Sequence, residues 1–179
     1  MENISKINFK KIGILGGTFD PPHKGHLYIS KVAIKKFKLK RLIWVVTKKN
    51  PLKKKPLLDI KTRIKLSKKI TLDEKKIIVR FYENKIKSNN TFNLLNYIKK
   101  NNKKTKIYFL LGADNLSKFH KWKNWQKIPK IAKMVIFKRE NYSIKSLNKN
   151  ASKKLNKKDW IYVNSKKINI SSSLIRKFW

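Results

Sequence analysis

Short apolar runs rich in β-branched and aromatic residues alternate along the chain with longer segments whose apolar residues recur at helical spacing. The short runs predict buried β-strands at residues 12–15, 41–47, 77–81, 106–111, 132–138 and 160–163. The longer segments predict amphipathic helices at residues 23–38, 59–71 and 91–100. Because strands and helices follow one another in turn, the pattern predicts an α/β fold built on a doubly wound parallel sheet.

The stretches between these elements are mostly polar and predict connections. Residues 48–58 carry two prolines among five lysines and are expected to form a loop, as are residues 83–90. Residues 140–158 lack periodicity and are interpreted as a mobile connection. Residues 119–128, with the sequence FHKWKNWQKI, are interpreted as a helix, and a serine cap predicts a last helix at about residues 171–179.

Length and composition limit the architecture further. A chain of 179 residues has the size of one α/β domain, so we expect residues 1–179 to form a single domain. The absence of cysteine excludes disulfides and thiolate metal sites. No apolar run approaches the roughly 18–20 residues that span a bilayer, and the first residues lack the layout of a signal peptide. These features predict a cytoplasmic protein without a membrane partner.

The formal charge of +39 has two interpretations. A basic chain can bind a polyanion such as nucleic acid or an anionic membrane. However, only five of the 48 basic residues are arginine, and the lysines are spread over every segment together with asparagine and isoleucine. We favour the bias of an A+T-rich coding sequence as the cause, and we expect non-specific nucleic-acid binding only at low salt.

The densest chemical pattern is the stretch KIGILGGTFDPPHKGHL at residues 11–27. A strand ends in Gly16 and Gly17, which permit a sharp turn and a close backbone approach to a ligand. A helix starting near His23 places His23 and His26 about one turn apart on one face. Two imidazoles beside a helix N-terminus form a site for anionic oxygens. Each part alone is common in proteins, whereas the joint pattern is specific.

The motif GGTFDPPHKGH resembles the GGxFDPxHxGH signature of the nucleotidylyltransferase superfamily, and within it the bacterial nicotinate-nucleotide adenylyltransferases are the most similar branch. The closing segment ISSSLIR resembles the ISSTxIR signature of the same superfamily. The resemblance covers essentially the whole chain and implies a Rossmann-like nucleotidylyltransferase fold. It also implies that the opening and closing segments together clamp a nucleotide triphosphate.

The resemblance further implies the residues of the nucleotide site. The catalytic residues are expected to be His23, His26 and Arg176. The ATP-binding residues are expected to be Gly16, Gly17, Thr18, Phe19, His23, His26, Gly112, Asp114, Arg139, Ile170, Ser171, Ser172, Ser173 and Arg176. From the residues alone, Asp114 is either the N-cap of a helix or a hydrogen-bond partner of a ribose.

The acceptor site is implied in the same way. Its expected residues are Thr18, Lys53, Thr91, Trp122 and Lys123. Trp122 has two interpretations: it is a core residue, or it stacks on a pyridine ring while neighbouring backbone amides hold the carboxylate. The segment FHKWKNW resembles the one that supplies such a platform in nicotinate-nucleotide adenylyltransferases.

The implied reaction transfers AMP from ATP to nicotinate mononucleotide and releases deamido-NAD and pyrophosphate. Mg²⁺ is expected to arrive with ATP, bound mainly by phosphate oxygens and water rather than by a protein metal site. A homo-oligomer is compatible with the sequence. Three alternatives are a phosphopantetheine adenylyltransferase, an enzyme that prefers nicotinamide mononucleotide, and a basic nucleic-acid-binding protein with a vestigial site.

Overall fold

The computed structural model describes residues 9–50, 52–139, 155–164 and 170–178. Its strands are β1 (Lys11–Gly17), β2 (Arg41–Val46), β3 (Ile77–Arg80), β4 (Lys106–Gly112), β5 (Lys133–Phe137) and β6 (Trp160–Val163). They form one sheet in the order β3-β2-β1-β4-β5-β6, and every neighbouring pair is parallel. The predicted doubly wound parallel sheet is therefore confirmed.

The helices are α1 (Lys24–Phe37), α2 (Ile60–Ile70), α3 (Glu83–Ile86), α4 (Thr91–Asn101), α5 (Ala113–Ser117), α6 (Ile128–Ile131) and α7 (Ser172–Ile175). Short 3₁₀ helices lie at Phe119–Lys121, Trp125–Lys127, Lys157–Asp159 and Arg176–Phe178. Asp59 caps α2 as predicted, because its carboxylate accepts hydrogen bonds from the backbone N–H groups of Lys61 and Thr62. No helix among these described residues is long and apolar enough to cross a membrane.

Each face of the sheet carries its own hydrophobic cluster. On one face α1 and α2 pack with residues such as Ala33 and Ile64 over β2 and β1. On the other face α4, α6 and the aromatic segment at residues 119–127 pack with residues such as Leu95 and Phe119. Helices thus cover both faces of the sheet, and ligands bind at the carboxyl ends of the strands in folds of this type.

The predicted helix at residues 119–128 is wrong. Trp122 adopts an extended conformation and Asn124 a left-handed one with φ of 54°, so two 3₁₀ helices replace a single α-helix. The aromatic residues Phe119, Trp122 and Trp125 are spaced by three, a spacing that suits 3₁₀ turns and keeps each ring against the core.

The predicted loop at residues 83–90 is also partly wrong, because α3 occupies its first half. The carbonyl oxygen of Tyr82 accepts hydrogen bonds from the N–H groups of Lys85 and Ile86, and Ile86 packs against the core. The sequence predicts a connection at residues 140–158. Its residues 140–154 lie outside the described residues, and a 3₁₀ helix begins within its described end.

Candidate active site

The candidate site lies at the carboxyl edge of the sheet where β1 and β4 are neighbours. The chain leaves these two strands towards opposite faces, and this crevice is where doubly wound sheets bind ligands. Around the Cα of Gly16 the space is open, since a Cβ placed there would meet no atom within 4 Å. At the end of β4, a Cβ on Gly112 would lie 2.4 Å from Oδ1 of Asp114. The first glycine leaves room for a ligand, and the second leaves room for the Asp114 carboxylate.

The two histidines of the opening motif cap helix α1. Nδ1 of His23 accepts a hydrogen bond from the N–H of Gly25 at 3.1 Å, and Nδ1 of His26 accepts one from the N–H of His23 at 3.3 Å. The imidazole centroids are 3.8 Å apart. Because Nδ1 is an acceptor in both rings, the neutral imidazoles carry their proton on Nε2. Nε2 of His23 is buried without a hydrogen-bond partner among the described residues.

Burial keeps both imidazoles uncharged at neutral pH. Desolvation lowers the pKa of His23 from 6.5 to about 4, with a further contribution from the Arg139 guanidinium. Desolvation also lowers the pKa of His26 well below 6.5, and the neighbouring positive charges act in the same direction. The pair therefore presents two neutral N–H donors at the start of a helix.

Gly25 makes the approach of the histidines sterically feasible. A Cβ at this position would lie 2.9 Å from Cε1 and Nδ1 of the His23 ring and 3.3 Å from Cγ2 of Ile170. The glycine between the two histidines therefore lets the His23 ring fold over the helix start, and it lets the closing segment pack against the opening one.

The Phe19 ring packs against the ring of His26. Its ring is 1% exposed and stacks on Trp44 with centroids 4.8 Å apart, while the His26 ring lies 4.9 Å away. Nε1 of Trp44 donates to Oγ of Ser30 within α1. A ligand contact from Phe19 would therefore come from its backbone, whose φ of 49° marks a tight turn.

The structure brings the closing segment onto the opening motif. Ser171 caps α7, since its hydroxyl accepts a hydrogen bond from the N–H of Leu174 at 3.1 Å. The hydroxyl of Ser172 donates to the carbonyl of Pro21 at 2.9 Å. The Arg176 guanidinium donates to the carbonyl of Asp20 and approaches its carboxylate at 3.4 Å.

Further charged residues meet beyond the end of β4. Nε of Arg139 lies 3.5 Å from Oδ1 of Asp114, and Nζ of Lys53 lies 3.9 Å from Oδ2. Gly112 is the N-cap residue of α5, and Asp114 lies within the first turn, so the carboxylate does not cap this helix. Asp114 thus lies within ion-pair distance of two cations from two separate loops, while its Oδ1 has no hydrogen-bond partner among the described residues.

The remaining predicted acceptor residues lie at the start of α4 and in the aromatic segment at residues 119–127. Thr91 is the first residue of α4, which Asn90 caps through a hydrogen bond to the N–H of Asn93. Trp122 is half-buried, and its ring lies 5.3 Å from that of Phe119. Lys123 is exposed. Trp122 therefore packs on the core with part of its surface accessible.

Two buried charged residues were not predicted. Asp20 is 3% exposed and accepts hydrogen bonds from the N–H groups of Leu57 and Leu58. Arg63 is 2% exposed and donates only to backbone carbonyl oxygens. One sequence feature could have drawn attention to Arg63, because it is the one arginine in α2, among four lysines.

Comparisons with known proteins agree with this geometry. The cytidylyltransferase-like family model matches residues 14–178. A probable nicotinate-nucleotide adenylyltransferase from Pelagibacter ubique is 52% identical over 167 residues, covering 93% of this chain and 92% of that protein. One from Clostridium novyi is 38% identical and covers 93% of this chain and 86% of that protein.

The fold also resembles that of solved structures. Plasmodium falciparum nicotinic acid mononucleotide adenylyltransferase complexed with NaAD superposes with a TM-score of 0.76 at 23% identity, covering 94% of this chain and 83% of that chain. At this identity the likeness concerns the fold. Together, the match over residues 14–178 and the two relatives show that the chain belongs to the cytidylyltransferase-like family and, within it, to the nicotinate-nucleotide adenylyltransferases.

Proposed function

We propose that the chain transfers the AMP moiety of ATP to nicotinate mononucleotide, giving deamido-NAD and pyrophosphate. The observation that carries this proposal is the contact between two distant segments: Ser172 bonds to Pro21, and Arg176 bonds to Asp20. These contacts join the start of α7 and the Arg176 guanidinium to the turn that precedes the histidine pair. The relatives named nicotinate-nucleotide adenylyltransferases support the choice of acceptor.

The reaction needs no proton transfer to the protein. An oxygen of the mononucleotide 5′-phosphate forms a bond to the α-phosphorus of ATP while the bond to the bridging β-phosphate oxygen breaks, and pyrophosphate leaves. The attacking phosphate is already anionic at neutral pH. The protein therefore has to align two anions and stabilise the charge that develops on the transferred and departing phosphates.

We assign the charge-stabilising role to donors on both sides of the clamp. The Nε2–H groups of His23 and His26 donate to phosphate oxygens, and they do so as neutral imidazoles because burial lowers both pKa values. Arg176 supplies the positive charge from the closing segment. The open space at Gly16 admits the triphosphate close to the strand end.

The other predicted residues divide between the two substrates. We assign Asp114 and Arg139, which lie within ion-pair distance of each other, to the ribose, and Lys53 approaches Asp114 from the loop after β2. The ATP side is completed by Thr18, Phe19, Gly112, Ile170, Ser171, Ser172 and Ser173. The acceptor side is completed by Thr18, Thr91, Trp122 and Lys123.

Mg²⁺ is proposed to enter as a complex with ATP. Among the described residues, no group of three or more histidine or carboxylate side chains is placed to hold a metal ion. Asp20 and Asp114 are both engaged by cations or backbone N–H groups. A magnesium ion that arrives with ATP would be held by phosphate oxygens and water, and it would neutralise phosphate charge there.

A pyrophosphate-release assay tests the function. The chain is incubated with ATP and Mg²⁺ and with one of three acceptors: nicotinate mononucleotide, nicotinamide mononucleotide or phosphopantetheine. We expect the highest kcat/KM with nicotinate mononucleotide. Faster turnover of phosphopantetheine, or absence of pyrophosphate release with every acceptor, would contradict the proposal.

Trp122 provides a separate test of the acceptor site. Trp122→Ala should raise KM for the mononucleotide more than KM for ATP, because the exposed part of the indole is proposed to stack on the pyridine ring. Trp125→Ala is the matched control, since Trp125 is also half-buried and also packs on Phe119, at 5.9 Å. Equal changes in both KM values, or equal behaviour of the two variants, would assign Trp122 to the core alone.

A further inference from the structure

The guanidinium of Arg63 is enclosed by backbone carbonyl groups. From the first turn of α2, Nε donates to Leu58 at 3.0 Å, Nη1 donates to Thr18 and Thr47 at 2.6 Å each, and Nη2 donates to Lys48 at 3.1 Å. Among the described residues it forms no ion pair within 4.0 Å of a carboxylate. A buried charge is costly unless it is fully hydrogen-bonded, so the site around Arg63 is built for this side chain.

The four carbonyl groups belong to three separate segments at the carboxyl edge of the sheet. Thr18 lies in the turn after β1, and Thr47 and Lys48 follow β2. Leu58 is the last residue of the lysine-rich loop at residues 48–58, called the basic loop below. The planar guanidinium of Arg63 therefore joins the turn after β1 to the basic loop, which carries Lys53. A lysine ammonium concentrates its donors on one atom and cannot span four carbonyl groups spread over three segments.

Asp20 holds the same loop from the other side. Its Oδ2 accepts from the N–H of Leu57 at 2.9 Å, and its Oδ1 accepts from the N–H of Leu58 at 3.0 Å. The Leu57 side chain is 68% exposed, so burial of that side chain does not account for the position of its backbone. The end of the basic loop is thus held by Asp20 through N–H groups and by Arg63 through a carbonyl group.

We infer that Arg63 is a positioning residue, which sets the basic loop against the turn after β1 so that Lys53 stands beside Asp114. This inference rests on the proposed function, with Lys53 as one of the expected acceptor-site residues. The hydrogen bonds that Arg63 donates among the described residues reach neither the histidine pair nor the closing segment. Three of its four partners precede or lie in the loop after β2, and Thr18 is assigned to both substrates, so loss of the guanidinium should impair alignment of the acceptor more than binding of ATP.

The test compares Arg63→Lys with Arg41→Lys. Arg41 donates to the carbonyl of Lys75 at the opposite, amino edge of the sheet and serves as the matched control. We expect Arg63→Lys to lower kcat and raise KM for the mononucleotide, with about 10²-fold loss in kcat/KM, while KM for ATP changes less than about threefold. Unchanged acceptor kinetics, or the same losses in Arg41→Lys, would overturn the inference.

Amide hydrogen exchange gives a readout that does not depend on turnover, and its first arm uses the wild-type chain alone. In the wild-type chain the backbone amides of the exposed Leu57 and the half-buried Leu58 should exchange slowly, and in folded Arg63→Lys their exchange should accelerate while α1 keeps its protection. Rapid exchange of both amides in the wild type would show that the loop is not held, and would overturn the inference. If the wild type turns over neither mononucleotide, the proposed function fails while the exchange data still decide whether the loop is held.

Discussion

The imidazole of His26 is held on several sides, by the rings of His23, Phe19 and Trp44 and by a backbone N–H at Nδ1. Its Nε2–H is therefore oriented before a ligand arrives, and preorganised donors are the ones that stabilise a developing charge. His26→Ala should lower kcat/KM by about 10²-fold or more, on the order of 3 kcal/mol of transition-state stabilisation. Steady-state kinetics measure this loss, and circular dichroism checks that the fold is kept.

His26→Gln distinguishes the helix-capping role of His26 from its proposed role in catalysis. A glutamine at the third helical position can still accept from the N–H of the capping residue, as in an ordinary capping box. Stability should therefore recover relative to His26→Ala, whereas kcat/KM should remain low. Full activity in a folded His26→Ala protein would contradict the assigned role.

The low pKa of His23 predicts how stability depends on pH. The folded state holds the pKa at about 4, whereas the unfolded chain has the ordinary value of 6.5. Between these values the unfolded chain binds a proton that the folded chain does not, so the free energy of unfolding should fall as pH decreases from 6.5 towards 4. The full shift corresponds to about 3 kcal/mol.

Urea unfolding at pH 7.5 and pH 4.5 measures this dependence. His23→Asn is the suitable variant, because asparagine is a good N-cap but does not titrate. The variant should lose less stability than the wild type over this interval. The same pH dependence in both proteins would show that His23 is not the group responsible.

At the scale of single elements, two of the three glycines in strand β1 have opposite surroundings. Gly16 faces open space, whereas a Cβ on Gly13 would lie 2.8 Å from Cδ1 of Leu39 and 3.1 Å from Leu42. Gly16→Ala should leave Tm unchanged and raise KM for ATP by at least about tenfold, because a methyl group would occupy the space of the nucleotide. Thermal unfolding and ATP kinetics on the same preparation test this.

Gly13→Ala is the matched control within the same strand. It should lower Tm by overpacking against Leu39, at a cost of about 1–3 kcal/mol, and leave KM for ATP unchanged in the folded protein. An unaltered KM in Gly16→Ala would mean that no ligand approaches the strand there.

The elements that could be predicted from sequence are those with a strong local period. Strands such as β2, and the helix α2 with its cap Asp59, follow from apolar runs and capping chemistry within a few residues. The segment at residues 119–127 was mispredicted because a spacing of three suits both an α-helix and two 3₁₀ turns. The left-handed conformation at Asn124, which separates the turns, is set by packing of the rings on the core.

The site residues that belong to a short sequence motif could be predicted. Residues whose role depends on contacts with distant backbone groups could not. The histidines and the closing serines were identified from short patterns. Arg63 was not, because its partners lie 5, 15, 16 and 45 residues away and are carbonyl groups, which every residue has. Asp20 lies inside the opening motif, but its partners Leu57 and Leu58 carry no sequence signal of their own.

At the scale of the whole molecule the dominant property is charge. The chain has 48 basic and nine acidic residues, and several of the acids are already engaged: Asp20, Asp59 and Asp114 bond to backbone N–H groups or to cations. The surface is thus strongly positive, and such a surface attracts any polyanion without recognising a sequence.

This charge predicts nucleic-acid binding that depends steeply on salt and is independent of the active site. Duplex DNA should bind at 50 mM NaCl and weaken by at least about 10³-fold at 200 mM, since neutralising 6–10 phosphates gives such a slope. Fluorescence anisotropy with two unrelated duplexes measures affinity and sequence preference, and His26→Ala should bind as the wild type does. A shallow salt dependence with preference for one sequence would instead indicate a specific nucleic-acid site, and the lysine-rich surface would then need an explanation beyond coding bias.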